Sequence, residues 1–290
     1  MRLEVLDWGG SGSPVIMIPG LGMTAHSFDA FATKLSSTHH VYGITRRGIG
    51  KSSAPVPTAT NYTAARLGAD VVAVMEHLKI PKAVLIGHSF GGEELSSVGT
   101  AHPELVEGLV YMEAAYGYAF YDPLLGDLEI DVRDVREQLA EIVSGKLPLD
   151  KRDHVREVLS QLPRLTKDLE ELLEQQNEEP PPSDLSKLPP FPPQLDAMLN
   201  GKQKFTKMDR PVLAIFAFPK EVPRPGMLAD KELRTAAGGD AVFAEEHAEA
   251  LQRVDPSAHI VRMAYADHFV FQSNESDVLR QVNEFIHGLP

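Results

Sequence analysis

The residues Gly87-His88-Ser89-Phe90-Gly91 fit the pattern G-x-S-x-G. That spacing suits a serine held on a strained strand-to-helix turn, because glycines two residues either side let the turn close tightly. A serine hydroxyl is a weak nucleophile at neutral pH and needs a base within hydrogen-bond reach. His268 fits that role best among the 11 histidines. It lies just past the last strand, on the side of the sheet where Ser89 sits. His102 precedes a proline, and His154, His247 and His287 fall on predicted helices. His88 points away at the turn and is read, with Gly20, as substrate-binding.

A base of this kind needs a carboxylate to hold its tautomer and stabilise the imidazolium. Glu113 closes a buried strand in Val110-Tyr-Met-Glu-Ala. A carboxylate there is costly without a partner, and His268 would be that partner. Glu221 is the alternative acid, and Asp230 and Asp240 are further possibilities. An oxyanion would be held by two backbone N–H groups, from Phe90 after the serine and from Leu21 between Gly20 and Gly22. Tyr116, Tyr118, Phe120 and Tyr121 suggest an apolar acyl or alcohol pocket.

These residues need a scaffold that brings distant segments together, and the hydrophobic pattern supplies one. Short apolar runs at Leu3–Trp8, Val15–Ile18, Val41–Ile44, Ala83–Ile86, Leu105–Met112, Pro211–Phe218 and Ala258–Met263 read as strands. Helices are predicted between them, at Ser27–Leu35, Tyr62–Leu78 (with Leu67, Val71, Val74, Met75 and Leu78 on one face), after Ser89, at Phe243–Leu251 and at Val278–His287. Alternation of this kind predicts an α/β fold, a mostly parallel β-sheet flanked by helices. In such sheets, chemistry gathers at the carboxyl ends of the strands. Residues 1–117 and 208–290 form this core. Residues 118–207 hold no strand pattern. They carry acidic helical stretches at Leu128–Leu139, His154–Leu162 and Leu165–Gln175, then a proline-rich connector, and read as an inserted helical cap.

Composition narrows the function. The 290 residues are 43% hydrophobic and 24% charged, as in an ordinary globular protein. A net charge of −13 argues against nucleic acid and anionic membranes as partners. The absence of cysteine excludes disulfides, thiol catalysis and thiolate metal sites. No apolar run is long enough to span a membrane. Gly50-Lys51-Ser52 is not the end of a phosphate-binding loop, because Thr45 stands where that motif needs glycine. Arg46 and Arg47 are expected to brace strand ends. No metal or cofactor is implied, the partner is a small-molecule ester, and oligomeric state is left open. The chain as written is expected in the cytoplasm, or outside it if a natural N-terminus has been trimmed.

Ile18-Pro-Gly-Leu-Gly, Arg46-Arg-Gly-Ile-Gly-Lys-Ser, Gly87-His-Ser-Phe-Gly-Gly and Ala266-Asp-His-Phe together resemble the α/β-hydrolase superfamily. The resemblance covers Leu3–Ala115 and Arg210–Leu289 and implies that fold, with the order serine, acid, histidine. It places an acid after the strand Pro211–Phe218, where this chain has Lys220. Haloalkane dehalogenases with a glutamate at the end of the corresponding strand support Glu113 by analogy. Dehalogenases and epoxide hydrolases of this fold use an aspartate nucleophile, so Ser89 implies an acyl-enzyme and carboxylic-ester hydrolysis. Lactonase, C–C hydrolase, perhydrolase, hydroxynitrile lyase and a weakly catalytic ligand-binding homologue are the alternatives. Members usually carry an antiparallel strand ahead of the first one seen here, which implies a trimmed N-terminus.

Overall fold

A computed structural model describes residues 1–144, 152–178, 190–223 and 238–290. Seven strands among them form one sheet: β1 Glu4–Gly9, β2 Pro14–Ile18, β3 His40–Thr45, β4 Ala83–His88, β5 Val106–Met112, β6 Val212–Phe218 and β7 His259–Ala264. Their order across the sheet is β1-β3-β2-β4-β5-β6-β7. Only β1 runs antiparallel, pairing Glu4 with Thr45 of β3. The central strands are apolar runs with side chains buried on both faces, as a sheet covered by helices requires: β4 and β6 are buried along their whole length.

Helices α1 (Asp29–Leu35), α2 (Ala64–Leu78) and α3 (Gly91–Ala101) connect the early strands. A single 3-10 turn, Ala25–Phe28, takes the first part of the helix expected from Ser27. The Thr63 side chain caps α2 by accepting the Arg66 N–H. Leu67, Val71, Val74 and Met75 of α2 are buried as their spacing requires, whereas Leu78, in the last turn, is 36% exposed.

Between β5 and β6 come α4 (Leu128–Ser144), α5 (Arg152–Glu178) and α6 (Pro193–Leu199). The sequence pattern broke at Pro163, but α5 continues through it. Proline removes one helical hydrogen bond there. Packing on either side holds the helix together, with Val158 and Leu165 buried against Val135 of α4. After β6, α7 (Gly239–Val254) covers the sheet, and α8 (Glu275–His287) closes the chain.

The apolar core lies in two layers, one on each face of the sheet. Ile16, Leu85, Tyr111 and Phe216 point into one, and Val15, Val84, Val110 and Ile215 into the other. Because β2, β4, β5, β6 and β7 run parallel, the loops leaving β2, β4, β5 and β7 emerge at one edge of the sheet.

Candidate active site

Ser89 follows β4 directly and has φ +50°. The left-handed region is strained for a residue with a Cβ, so surrounding contacts must enforce it. The Ser89 N–H donates to Met112 O at 3.2 Å, and the Gly92 N–H donates to Ser89 O at 2.9 Å. The flanking glycines permit the close approach. A Cβ on Gly87 would meet the Gly91 carbonyl at 2.8 Å, and one on Gly91 would meet Ile18 O at 2.4 Å.

Glu113 follows β5 with φ +51° and is 5% exposed. Its own N–H donates to Ile215 O at 2.9 Å. Carboxylate Oε1 accepts the Ala217 N–H. Oε2 accepts the Tyr116 hydroxyl at 2.6 Å and faces His268 Nδ1 at 3.5 Å. Glu113 is thus partnered on both oxygens, and its contact with the imidazole is the longest of the three.

His268 lies in the loop between β7 and the helical turn Val270–Ser273, with its side chain 50% exposed. That loop is fastened by Ala266 N–H to Phe218 O at 3.0 Å and by Phe269 N–H to the Asp267 side chain at 2.8 Å. Since Nδ1 faces Glu113, Nε2 is the nitrogen left for other partners.

Ser89, Glu113 and His268 line one cavity of about 830 Å³, together with Tyr116 and Tyr118. The Tyr118 hydroxyl reaches the Ser89 side chain. Burial, followed by the nearby Glu113 carboxylate, pushes its pKa well above the ordinary phenol value, so it stays protonated and able to donate. Phe243 and His247 of α7 form a further wall, with Phe243 stacked on Tyr116 at 5.1 Å between ring centroids. Burial lowers the His247 pKa. Another wall comes from the segment between β5 and β6 and includes Asp127, Glu129 and Lys202. The Lys202 ammonium pairs with Asp127 at 3.2 Å and Glu129 at 2.8 Å.

The other residues singled out from sequence have different surroundings. Glu221 is exposed and does not line the cavity. Asp240 lines it from the exposed start of α7. Asp230 lies outside the described residues. Phe120 and Tyr121, expected with Tyr116 and Tyr118 at the substrate pocket, do not line the cavity. Phe120 packs on Tyr111 at 4.8 Å in the core, and the Tyr121 hydroxyl donates to buried Asp131. An aromatic run read from sequence shows no facing, and here only its first two members point into the cavity.

His88 and Gly20 also lie off the cavity. Gly20 sits behind the serine, where a Cβ would meet His88 Nδ1 and Ser89 Cβ at 3.2 Å each. Leu21 and Phe90 share one small apolar cluster through their side chains. Among the described residues, neither of their amides donates to a backbone acceptor in the turns they occupy. Arg46 fixes this loop, donating to Pro19 O at 2.9 Å, to Gly20 O at 3.1 Å and to Glu94 on α3. Both arginines brace the strand ends, Arg47 through Asp70 at 2.6 Å.

The sequence reading missed Lys202, Phe243 and the Tyr116–Glu113 bond. Lys202 is one lysine in a polar turn, and nothing in its neighbourhood marks it. Phe243 stands on a helix whose apolar pattern conceals which ring faces outward.

A sequence model of the family described as alpha/beta hydrolase fold matches residues 13–163, just over half of the chain. An sn-1-specific diacylglycerol lipase of Danio rerio is 33% identical over 116 residues, 39% of this chain and 35% of that protein. A non-heme chloroperoxidase of Streptomyces lividans is 36% identical over 111 residues, 37% of this chain and 39% of that one. The chain spans 40% or less of the length of the curated relatives it matches. An esterase structure from Exiguobacterium antarcticum superposes with a TM-score of 0.61 at 15% identity, covering 99% of this chain and 96% of that one. At that identity the likeness speaks for the fold alone.

Proposed function

The chain belongs to the alpha/beta hydrolase fold family, and from that premise we propose that it is a serine hydrolase cleaving carboxylic esters through an acyl-enzyme. The observation that carries this reading is the convergence of Ser89, His268 and Glu113, from three separate strand ends, on one cavity. Ser89 Oγ attacks the ester carbonyl carbon while His268 Nε2 takes its proton. Glu113 holds the imidazole through Nδ1, and the amides of Phe90 and Leu21 stabilise the oxyanion. Collapse expels the alcohol, which leaves with the proton from His268. His268 then deprotonates a water that attacks the acyl carbon, releasing the acid and restoring Ser89.

Residues 118–207 act as a cap whose described part forms one wall of the cavity. The aromatic rings favour a small to medium apolar acyl or alcohol group. The lipase, dehalogenase and peroxidase names among the relatives are narrowed by the nucleophile, since dehalogenases of this fold carry aspartate where this chain has Ser89. Hydrolysis of p-nitrophenyl acetate and butyrate by wild type and Ser89→Ala tests the reading. Turnover that disappears with the serine supports it, and equal background rates overturn it.

A further inference from the structure

The contact between His268 and Glu113, at 3.5 Å, is long for a bond expected to orient a catalytic base. Glu113 Oε2 is shared with Tyr116, whose hydroxyl sits closer, at 2.6 Å. The imidazole is half exposed, so packing alone holds it weakly. A second anchor is therefore needed, and the shortest polar contact of residue 268 is made by its backbone. His88 Nε2 lies 2.9 Å from His268 O.

His88 is 0% exposed and directly precedes the nucleophile. A carbonyl only accepts, so Nε2 carries the hydrogen and the neutral tautomer is fixed. Burial pushes the imidazole down to about 4, so the ring stays neutral and the donor stays in place across the working range of a hydrolase. Its ring also packs against the His268 ring at 4.8 Å, Phe269 at 5.2 Å and Phe271 at 5.0 Å. On its other edge, Nδ1 faces Gly20 in the loop that offers the Leu21 amide. His88 thus touches the serine turn, the oxyanion loop and the histidine loop together.

We propose that His88 is a positioning residue, whose Nε2–H clamps the His268 carbonyl and sets the base against Ser89. It touches no substrate and moves no proton. This rests on the serine-hydrolase reading, and it assigns to His88 a role distinct from the substrate-binding one expected from sequence.

Three variants separate the clamp from simple packing. His88→Gln keeps a donor where Nε2 stands. His88→Phe keeps the ring and its volume without a donor. His88→Asn is polar but too short to reach the carbonyl. Steady-state hydrolysis of p-nitrophenyl acetate should show kcat lowered about tenfold to a hundredfold in His88→Phe and His88→Asn, the range a misplaced catalytic group costs, with KM changed less than about threefold. His88→Gln should keep at least about a third of kcat. If phenylalanine preserves kcat and glutamine does not, His88 only fills space and the proposal fails. Equal losses in glutamine and asparagine also overturn it, and that pair decides the matter if His88→Phe does not fold. If wild type is no faster than Ser89→Ala, the ester reading is what has failed. The same variants are then compared by the rate at which a fluorophosphonate labels Ser89, which needs the base but no ester. The same ranking upholds the clamp, and unchanged labelling in His88→Asn overturns it.

Discussion

The cavity has two unlike walls. On the sheet side, Ser89 and Glu113 sit in left-handed backbone conformations enforced by contacts to buried strands. On the other side, α4 and α5 present Val143, Leu159 and Leu173 to solvent at 84%, 58% and 59% exposure. Those helices are tied down by a polar hub. Asp131 is 0% exposed, accepts the Tyr121 hydroxyl and the Asp127 N–H, and pairs with Arg164 and Lys204. One wall is fixed by backbone geometry, the other by contacts between side chains. Under the proposed function, the first wall would carry the chemistry and the second the choice of substrate.

The largest expected effects fall on the sheet side. Ser89→Ala and His268→Ala should each lower kcat for p-nitrophenyl esters by roughly four orders of magnitude or more, since each removes a whole catalytic step. Glu113→Gln should cost about a hundredfold to ten-thousandfold, and Glu221→Gln less than about twofold. A severe loss in Glu221→Gln with a mild one in Glu113→Gln would move the acid to the exposed loop after β6 and dissolve the contrast as drawn.

This contrast also explains what could be read in advance. The serine turn was legible because its constraints are local: two glycines and a buried strand within nine residues. The sheet was legible because both-face burial leaves unbroken apolar runs such as Val212–Phe218. Glu113 could be placed as a carboxylate ending such a run, but its bond to Tyr116 depends on a turn with no signature. The helices between β5 and β6 announced their existence and not their extent. Pro163 looked like a break because local propensity was read without the packing against α4 that overrides it. Phe120 and Tyr121 were grouped with Tyr116 and Tyr118 because spacing in a loop carries no period from which facing can be deduced.

A smaller effect is expected on the helical wall. Asp131→Asn leaves Arg164 without its buried carboxylate, while Lys204 keeps Asp134 at 2.7 Å. It should cost about 2 kcal/mol, less than breaking a fully buried pair, because Arg164 keeps some contact with water and Lys204 keeps a carboxylate. Thermal melting should fall and KM should rise, while fluorophosphonate labelling of Ser89 stays within about threefold of wild type. If labelling collapses with the melting temperature, the two walls form one cooperative unit.

Glu93 gives the finest comparison, because it is a second fully buried carboxyl, on the sheet side, with the opposite surroundings. Asp131 has four partners, whereas neither oxygen of Glu93 has one among the described residues. Burial, and then the adjacent Glu94, push the Glu93 carboxyl well above its ordinary value of 4.5, against the pull of Arg46 and Lys202. The folded chain therefore holds this proton over a pH range in which the unfolded chain has released it. Such a group contributes fully below about 4.5 and loses its contribution as pH rises through the folded-state value. Glutamine cannot ionise, so Glu93→Gln should melt close to wild type near pH 4.5 and above it at pH 8. The gap should widen by at most about 1.4 kcal/mol per pH unit. A gap that stays flat with pH would mean that Glu93 is ionised in the fold, as a paired buried acid is, and its contrast with Asp131 would disappear.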